Sequence, residues 1–303
     1  MSCTPEIHPC FEPKTSTWQY IVADPRTRKA IIIDSVLDFD PASNVLSTDT
    51  ADSLLSLIDE HKYIVTQILE THVHADHITA SRYLQQQLMQ RGQPRADVCI
   101  GKRIQLVQSM LAARYSIDSS ELESAFDYLF DDDERFSIGN IEAYVLHLPG
   151  HTPDHIGYVI GGNVFTGDSI FNPDVGSARC DFPGGSAPAL YRSMQKLLSL
   201  PPNYHLYTGH DYPPEARALS EHGQRWKAYT TVEEQKLTNK HVGIGVLEDE
   251  FVKWRAERDV ALSEPRLLHQ SLQVNIRGGH LPRTTAEGYR FLSVPLKAPK
   301  SLD

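Results

Sequence analysis

Cysteine is scarce. Cys3, Cys10, Cys99 and Cys180 are the four in 303 residues, and no two of them form a C-x-x-C pair. That spacing excludes a disulfide framework in a chain of this size, so reduced thiols are expected, with Cys180 set apart by its charged neighbours. Long apolar runs are absent too: none approaches the roughly 18–20 residues that cross a bilayer. There is no block of Lys and Arg, and 39 acidic side chains outweigh 29 basic ones for a formal charge of −10, which leaves a nucleic-acid backbone without electrostatic support. The stretch "MSCTPEIHPCFEPKT" has neither a signal-peptide apolar region nor the Arg-rich character of a transit peptide. A soluble cytoplasmic protein is expected, free of membrane and nucleic-acid partners; a homo-oligomer is compatible with the sequence.

What is present is an ordinary globular composition, with 40% apolar and 22% charged residues. No 20–50-residue period repeats and no low-complexity tract appears. The recurrent unit is a strand followed by a polar turn. "WQYIVADPRTRKAIIID" reads as a hairpin turning at Asp24-Pro25-Arg26-Thr27, and "HIGYVIGGNVFTGD" as another turning at Gly161-Gly162-Asn163. "YIVTQILE", "IEAYVLHL" and "YHLYTGHD" read as further strands. Apolar residues at helical spacing predict helices over 51–61 and 101–113, with others over 78–90 and 187–199. Thr231 followed by Glu234 resembles a capping box, and "EDEFVKWRAERDV" places acids before bases, as the helix dipole favours. Alternating strands and helices with interspersed hairpins predict an α/β sandwich with mixed sheets.

The stretch "THVHADH" carries three histidines and an aspartate directly after a β-branched strand. Asp34, His72, His74, Asp76, His77, His151, Asp168 and His210 all stand at or just after a predicted strand end. Strand ends of a layered α/β fold open onto one edge, where loops distant in sequence converge. His72 and His74, two apart on extended chain, aim the same way. Asp76 and His77 follow as the chain bends into the helix expected near Ile78, so one loop can serve two adjacent cations. Neutral imidazole suits zinc, iron or manganese, and a carboxylate can bridge two metals. Chance produces His-x-His-x-Asp-His in such a composition on the order of once in several hundred sequences. Asp34 is expected to hold the loop by hydrogen bonds rather than to ligate. His8, His61, His147, His222, His241, His269 and His280, each standing alone, read as capped or solvated residues.

These residues resemble the metallo-β-lactamase superfamily: an Asp after an early strand (Asp34), His-x-His-x-Asp-His at 72–77, a His in Pro-Gly-His-Thr (149–152), an Asp in Thr-Gly-Asp (166–168) and a late His (210). The resemblance implies an αββα sandwich of two mixed β-sheets flanked by helices, with a metal-binding domain over 1–222 and a C-terminal extension over 223–303 packed on it. Within the superfamily "ETHVHADH", "GSARCDFPGG" and "TGHDY" are similar to persulfide dioxygenases, with glyoxalase II more distant. That likeness implies one Fe(II) per chain held by His72, His151 and Asp168, with His74, Asp76, His77 and His210 lining a second position. It implies oxidation of glutathione persulfide to sulfite and glutathione, substrate contact by Arg179 and Tyr212, a bracing role for Asp181, and a catalytic role for Asp76. For Arg179 an ion pair with Asp174 or Asp181 is the alternative.

All seven ligand positions needed for two ions are present. A dinuclear zinc or manganese hydrolase, acting on a lactam, lactone or thioester through a hydroxide between the metals, is therefore the rival expectation. Asp154 and His155, after Pro153, depart from the dioxygenase pattern and are expected to put a charged pair beside His151, altering polarity at the open metal positions.

Overall fold

The structure, a computed structural model, describes residues 4–218 and 225–298. Cys3, His222 and the expected boundary at 222/223 lie outside the described residues. The apolar strands pair into two six-stranded sheets. The first runs in the order β1 (Glu6–Glu12), β2 (Thr17–Ala23), β3 (Lys29–Ile33), β6 (Ile64–Leu69), β8 (Asp97–Gly101), β9 (Tyr128–Phe130). It is antiparallel from β1 to β3 and parallel from β3 to β9. The second comprises β10 (Arg135–Ile138), β11 (Ile141–His147), β12 (Ile156–Ile160), β13 (Asn163–Gly167), β14 (His205–Thr208) and β15 (Tyr229–Thr231), antiparallel except between β13 and β14. A small sheet of β4 (Val36–Asp40), β5 (Val45–Ser47) and β7 (Ile78–Thr79) sits beside them.

Side chains alternate along these strands, and the inward ones fuse the sheets. Tyr20, Ile31, Ile33, Leu69 and Phe130 meet Val145, Ile156, Tyr158 and Phe165; burying each such side chain fully is worth about 1.5–3 kcal/mol. The outward set of the first sheet packs Ile21, Ile32, Ile68 and Val98 under α1 (Asp49–His61) and α2 (Ser81–Gln90) through Leu54, Leu55, Ile58, Leu84 and Leu88. On the second sheet, Leu146, Val159, Val164 and Leu206 lie under α4 (Ala187–Leu198), α6 (Val232–Thr238) and α7 (Glu248–Val260). The order helix, sheet, sheet, helix is that of the αββα sandwich expected from the sequence. Helices α3 (Ile104–Tyr115) and α8 (Leu268–Asn275) close one end, with Ile104, Val107, Leu272 and Ile276 against Val73 and Phe182, and a single turn, α5 (Glu215–Ala218), follows β14. No described helix is long and apolar enough to cross a membrane.

Local departures from expectation have local causes. The helix expected from 78 begins at Ser81, because Ile78 and Thr79 pair with Leu37 and Val36 of the small sheet. The one expected from 101 begins at Ile104, because Gly101 still belongs to β8. Thr231 caps α6 by accepting from the Glu234 N–H at 3.0 Å. The Glu234 carboxylate bonds Lys227 at 2.6 Å instead of closing the box.

What this architecture does for the site is directional. β3 and β6 are parallel, and β11, β13 and β14 share one direction. Asp34, the loop 70–77, His151, Asp168 and His210 all follow the C-terminal ends of those strands.

Candidate metal centre

The loop after β6 is fixed before its histidines are aimed. Asp34, in the left-handed backbone region at φ 52°, accepts the Thr71 N–H at 2.8 Å and the Thr71 hydroxyl at 2.9 Å. Its Oδ1 also lies 3.0 Å from His74 Nε2. Glu70 adds a second carboxylate 3.3 Å from the same nitrogen. With Nε2 so engaged, His74 turns Nδ1 inward. Thr71 Oγ1 lies 3.0 Å from His72 Nδ1, leaving His72 Nε2 free to face the site. His151 Nδ1 donates to the Arg179 carbonyl at 2.7 Å. His210 Nδ1 faces the Ser16 carbonyl at 3.2 Å and the Thr17 hydroxyl at 3.3 Å. Each imidazole thus has one nitrogen oriented by a neighbour and the other pointing inward, which is how protein metal ligands are held.

The inward atoms gather in two groups whose members lie within 4.8 Å of one another: His72, His151 and Asp168 in one, and His74, Asp76, His77 and His210 in the other. Asp168 Oδ2 lies 3.7 Å from His151 Nε2 and 3.5 Å from His210 Nε2, so this carboxylate reaches toward both. Asp76 Oδ2 lies 3.0 Å from His77 Nδ1 and 3.4 Å from His210 Nε2. His72 Nε2, His74 Nδ1, His77 Nε2 and Asp168 Oδ1 are buried without a hydrogen-bond partner. An unpartnered buried polar atom costs about 1–3 kcal/mol, and two such atoms in each group fit a cation that would satisfy them there. Electrostatics agree: burial, and next the neighbouring His74, push the His72 imidazole well below its ordinary value, so it is neutral with a free lone pair. Burial opposes charge on Asp76, but His210 and His77 outweigh it and keep the carboxylate ionised.

Two glycines permit this convergence. Gly167, at φ +49°, brings the Asp168 turn so near the loop that a Cβ would stand 2.5 Å from Thr71 Oγ1. Gly150, at φ +142°, would put one 2.2 Å from the Leu190 amide nitrogen.

The expected charged pair at 154–155 is corrected by the structure. His155 is buried, and burial pushes its pKa well below the ordinary value, so it is neutral. Its Nε2 accepts the Asp168 N–H at 3.0 Å, and its ring stacks on His72 with centroids 4.6 Å apart. Asp154 accepts the Val73 N–H at 2.9 Å. Neither lines the open cavity; both brace the ligand loops from behind.

That cavity, of about 770 Å³, opens from His151, Asp76 and Asp168 toward Phe171, Phe182, Tyr212, Trp254 and the segment 262–268. Tyr212 stacks on His210 with centroids 5.5 Å apart and lines the wall. Arg179 also lines it, with both ends of its guanidinium engaged: Nε and Nη2 on Asp181 at 2.5 Å each and Nη1 on the Ser263 carbonyl at 2.9 Å. Asp181 is therefore its ion-pair partner, and Asp174 pairs with Arg217 at 2.7 Å. Cys180 is buried, and burial pushes its thiol up to about 12, which leaves it protonated and inert.

Four contributors carried no sequence signal. Glu70 faces His74 and also accepts from the hydroxyls of Thr79 and Ser81. The Arg179 and Ser16 carbonyls are backbone groups that any residue would supply. Asn275, at the end of α8, donates to the carbonyls of His74 and His77 at 2.8 Å each and accepts the Thr79 N–H at 2.9 Å.

Comparison with known proteins accords with this geometry. The chain is 42% identical over 295 residues to "Glyoxylase B2" of Dictyostelium discoideum, covering 96% of each. It is 44% identical over 296 residues to the "Beta-lactamase hydrolase-like protein" of Xylella fastidiosa, covering 97% of this chain but 65% of that longer protein. The mitochondrial persulfide dioxygenase ETHE1 of Bos taurus is 28% identical over 272 residues, 89% of this chain and 87% of that one. The crystal structure of ETHE1 from Myxococcus xanthus superposes with a TM-score of 0.71 at 28% identity, covering 91% of this chain and all of that one. Residues 13–210 match the metallo-β-lactamase superfamily, and the chain belongs to it.

Proposed function

We propose that the protein is a persulfide dioxygenase that binds one Fe(II) at His72, His151 and Asp168 and oxidises glutathione persulfide. The observation that carries this reading is the three-donor group itself, two imidazoles and one carboxylate whose ligand atoms lie within 4.8 Å of one another. Such a triad leaves open positions on Fe(II). The likeness to persulfide dioxygenase over 89% of the chain supports it. Iron, when bound, supplies activation of dioxygen. The chain supplies the rest. His72, neutral and oriented through Thr71, offers a lone pair. The Arg179 carbonyl fixes the ring of His151, and His155 fixes the backbone of Asp168. Phe171, Phe182 and Trp254 give the cavity apolar walls, while Arg114, Lys240, Arg258 and Arg266 give its wall an excess of positive charge for a substrate carrying carboxylates. The reaction balances as glutathione persulfide, dioxygen and water giving glutathione and sulfite.

A second reading rests on the completeness of the other group. His74, Asp76, His77 and His210 could hold a second ion, and two zinc or manganese ions bridged by Asp168 would serve hydrolysis of a lactam, lactone or thioester. Anaerobically purified protein decides between them. About one iron per chain and oxygen uptake with glutathione persulfide, both abolished in His72→Ala, are expected. Two zinc or manganese ions, no oxygen uptake and turnover of a thioester or lactam would establish the hydrolase.

A further inference from the structure

The edge strand β1 places Glu6 and His8, two residues apart, on one face. This is the helix-facing side, since Ile7 and Phe11 on the other face pack between the sheets and Cys10 packs under the helices. His61, in the last turn of α1, reaches the same spot. Its Nδ1 lies 3.6 Å from Glu6 Oε1, and His8 Nε2 lies 3.7 Å from that same oxygen. The two imidazole centroids are 4.5 Å apart. Read singly, His8 and His61 are ordinary solvated histidines; together with Glu6 they form a three-residue cluster of donor atoms all within 4.8 Å of one another.

The separations are informative. At 3.6–3.7 Å the nitrogen–oxygen pairs are too long to be hydrogen bonds, which fall at about 2.7–3.2 Å. Two ligands on one tetrahedral zinc, each about 2.0–2.2 Å from the metal, stand roughly 3.3 Å apart. The same signature marks Asp168 against His151 and His210 in the main centre, at 3.7 and 3.5 Å. The cluster is also anchored. Arg28 bonds the His61 carbonyl and lies 3.9 Å from Glu6 Oε2, leaving Oε1 to the histidines. Tyr63 OH holds His8 Nε2 at 2.8 Å and also bonds the Glu6 carboxylate, contacts that an ion would replace. Side-chain exposures of 19% for His8, 28% for His61 and 36% for Glu6 allow entry from solvent.

We propose that Glu6, His8 and His61 form a separate binding site for one divalent transition-metal ion of the zinc class, stapling the edge strand β1 to the end of α1. It lies at the far end of the first sheet. Glu12 and Thr17 face each other at the end where Thr17 bridges His210, and Glu6 is six residues along the strand, roughly 20 Å away at about 3.4 Å per residue. The inference does not depend on the reaction at the main centre.

The test is equilibrium dialysis of the metal-loaded protein against Zn(II), with bound zinc and iron counted by elemental analysis. Wild type is expected to bind one more zinc per chain than His61→Ala, His8→Ala or Glu6→Gln, with iron content and activity equal in all four. His72→Ala, which removes a ligand of the main centre, should retain this extra zinc. Equal zinc counts in wild type and the three variants would overturn the proposal, and so would loss of the same ion in His72→Ala and His61→Ala. Glu6→Gln, at a partly exposed carboxylate, keeps the test decisive should a histidine variant misfold.

Discussion

Replacing Asn275 by alanine tests whether the C-terminal helix is part of the metal centre. The substitution removes two bonds to the carbonyls of His74 and His77 and one from the Thr79 N–H. All three partners stand on residues that are themselves buried. At about 1 kcal/mol for each orphaned group, the low end because water can enter the space vacated by the side chain, the folded state loses about 3 kcal/mol. A second loss belongs to the metal. His72 stands on the same 70–77 loop, which Asn275 ties down at the carbonyls of His74 and His77, and disturbing the support of a ligand costs about 10–100-fold in affinity, or about 1.4–2.8 kcal/mol. Urea unfolding of wild type and variant, each with and without metal, separates the two. The metal-free proteins should differ by about 3 kcal/mol, and the loaded ones by more. Asn275→Asp should be no better than alanine, since its oxygen would face two carbonyl oxygens. A variant within 1 kcal/mol of wild type, or one destabilised equally with and without metal, would refute the reasoning.

Two further outcomes follow from the structure. His155→Ala leaves the Asp168 N–H without its acceptor and should weaken metal binding about 10–100-fold, measured by competition with a chromophoric chelator; unchanged affinity would remove His155 from the support of the site. Burial opposes ionisation of Asp127, but the Val98 N–H, Arg95, Gln85 and Arg82 outweigh it and lower the carboxyl from 3.8 to about 2. A depressed folded-state pKa stabilises above the unfolded value, so this contribution is present above about pH 4 and lost as pH falls toward 2. Urea midpoints of wild type and Asp127→Asn should therefore converge over that interval and stay apart above it.

The strand-end rule made the metal donors legible because their chemistry is carried by side chains placed where strands stop. His72 to His77 announce themselves within the seven residues 71–77, the single donors at 151, 168 and 210 each follow an apolar run and a turn, and the bracing Asp34 directly follows an apolar run. Strand β1 was not legible. Pro9 interrupts its pattern, and a proline is tolerated there because β1 is an edge strand. β7 was hidden inside the pattern of the helix that follows it, since pairing with β4 is decided by tertiary contact rather than by propensity. The supports were hidden for a different reason. Carbonyl groups of Ser16 and Arg179 have no residue identity, and Asn275 acts on His74 across 201 positions, a distance no local pattern spans. The charge at 154–155 was misjudged because sequence shows which groups can ionise, whereas burial decides whether they do.

The span of those supports bears on how the protein is made. His210 is oriented by a carbonyl at position 16, and the loop bearing His74 and His77 is tied by a side chain at position 275. A chain made only as far as His210 has every candidate ligand and still lacks the amide that fastens the loop carrying His74 and His77. The 70–77 loop therefore takes its final form only once α8 has been made and docked, and a chain ending just before residue 275 would keep every candidate donor and lose that fastening.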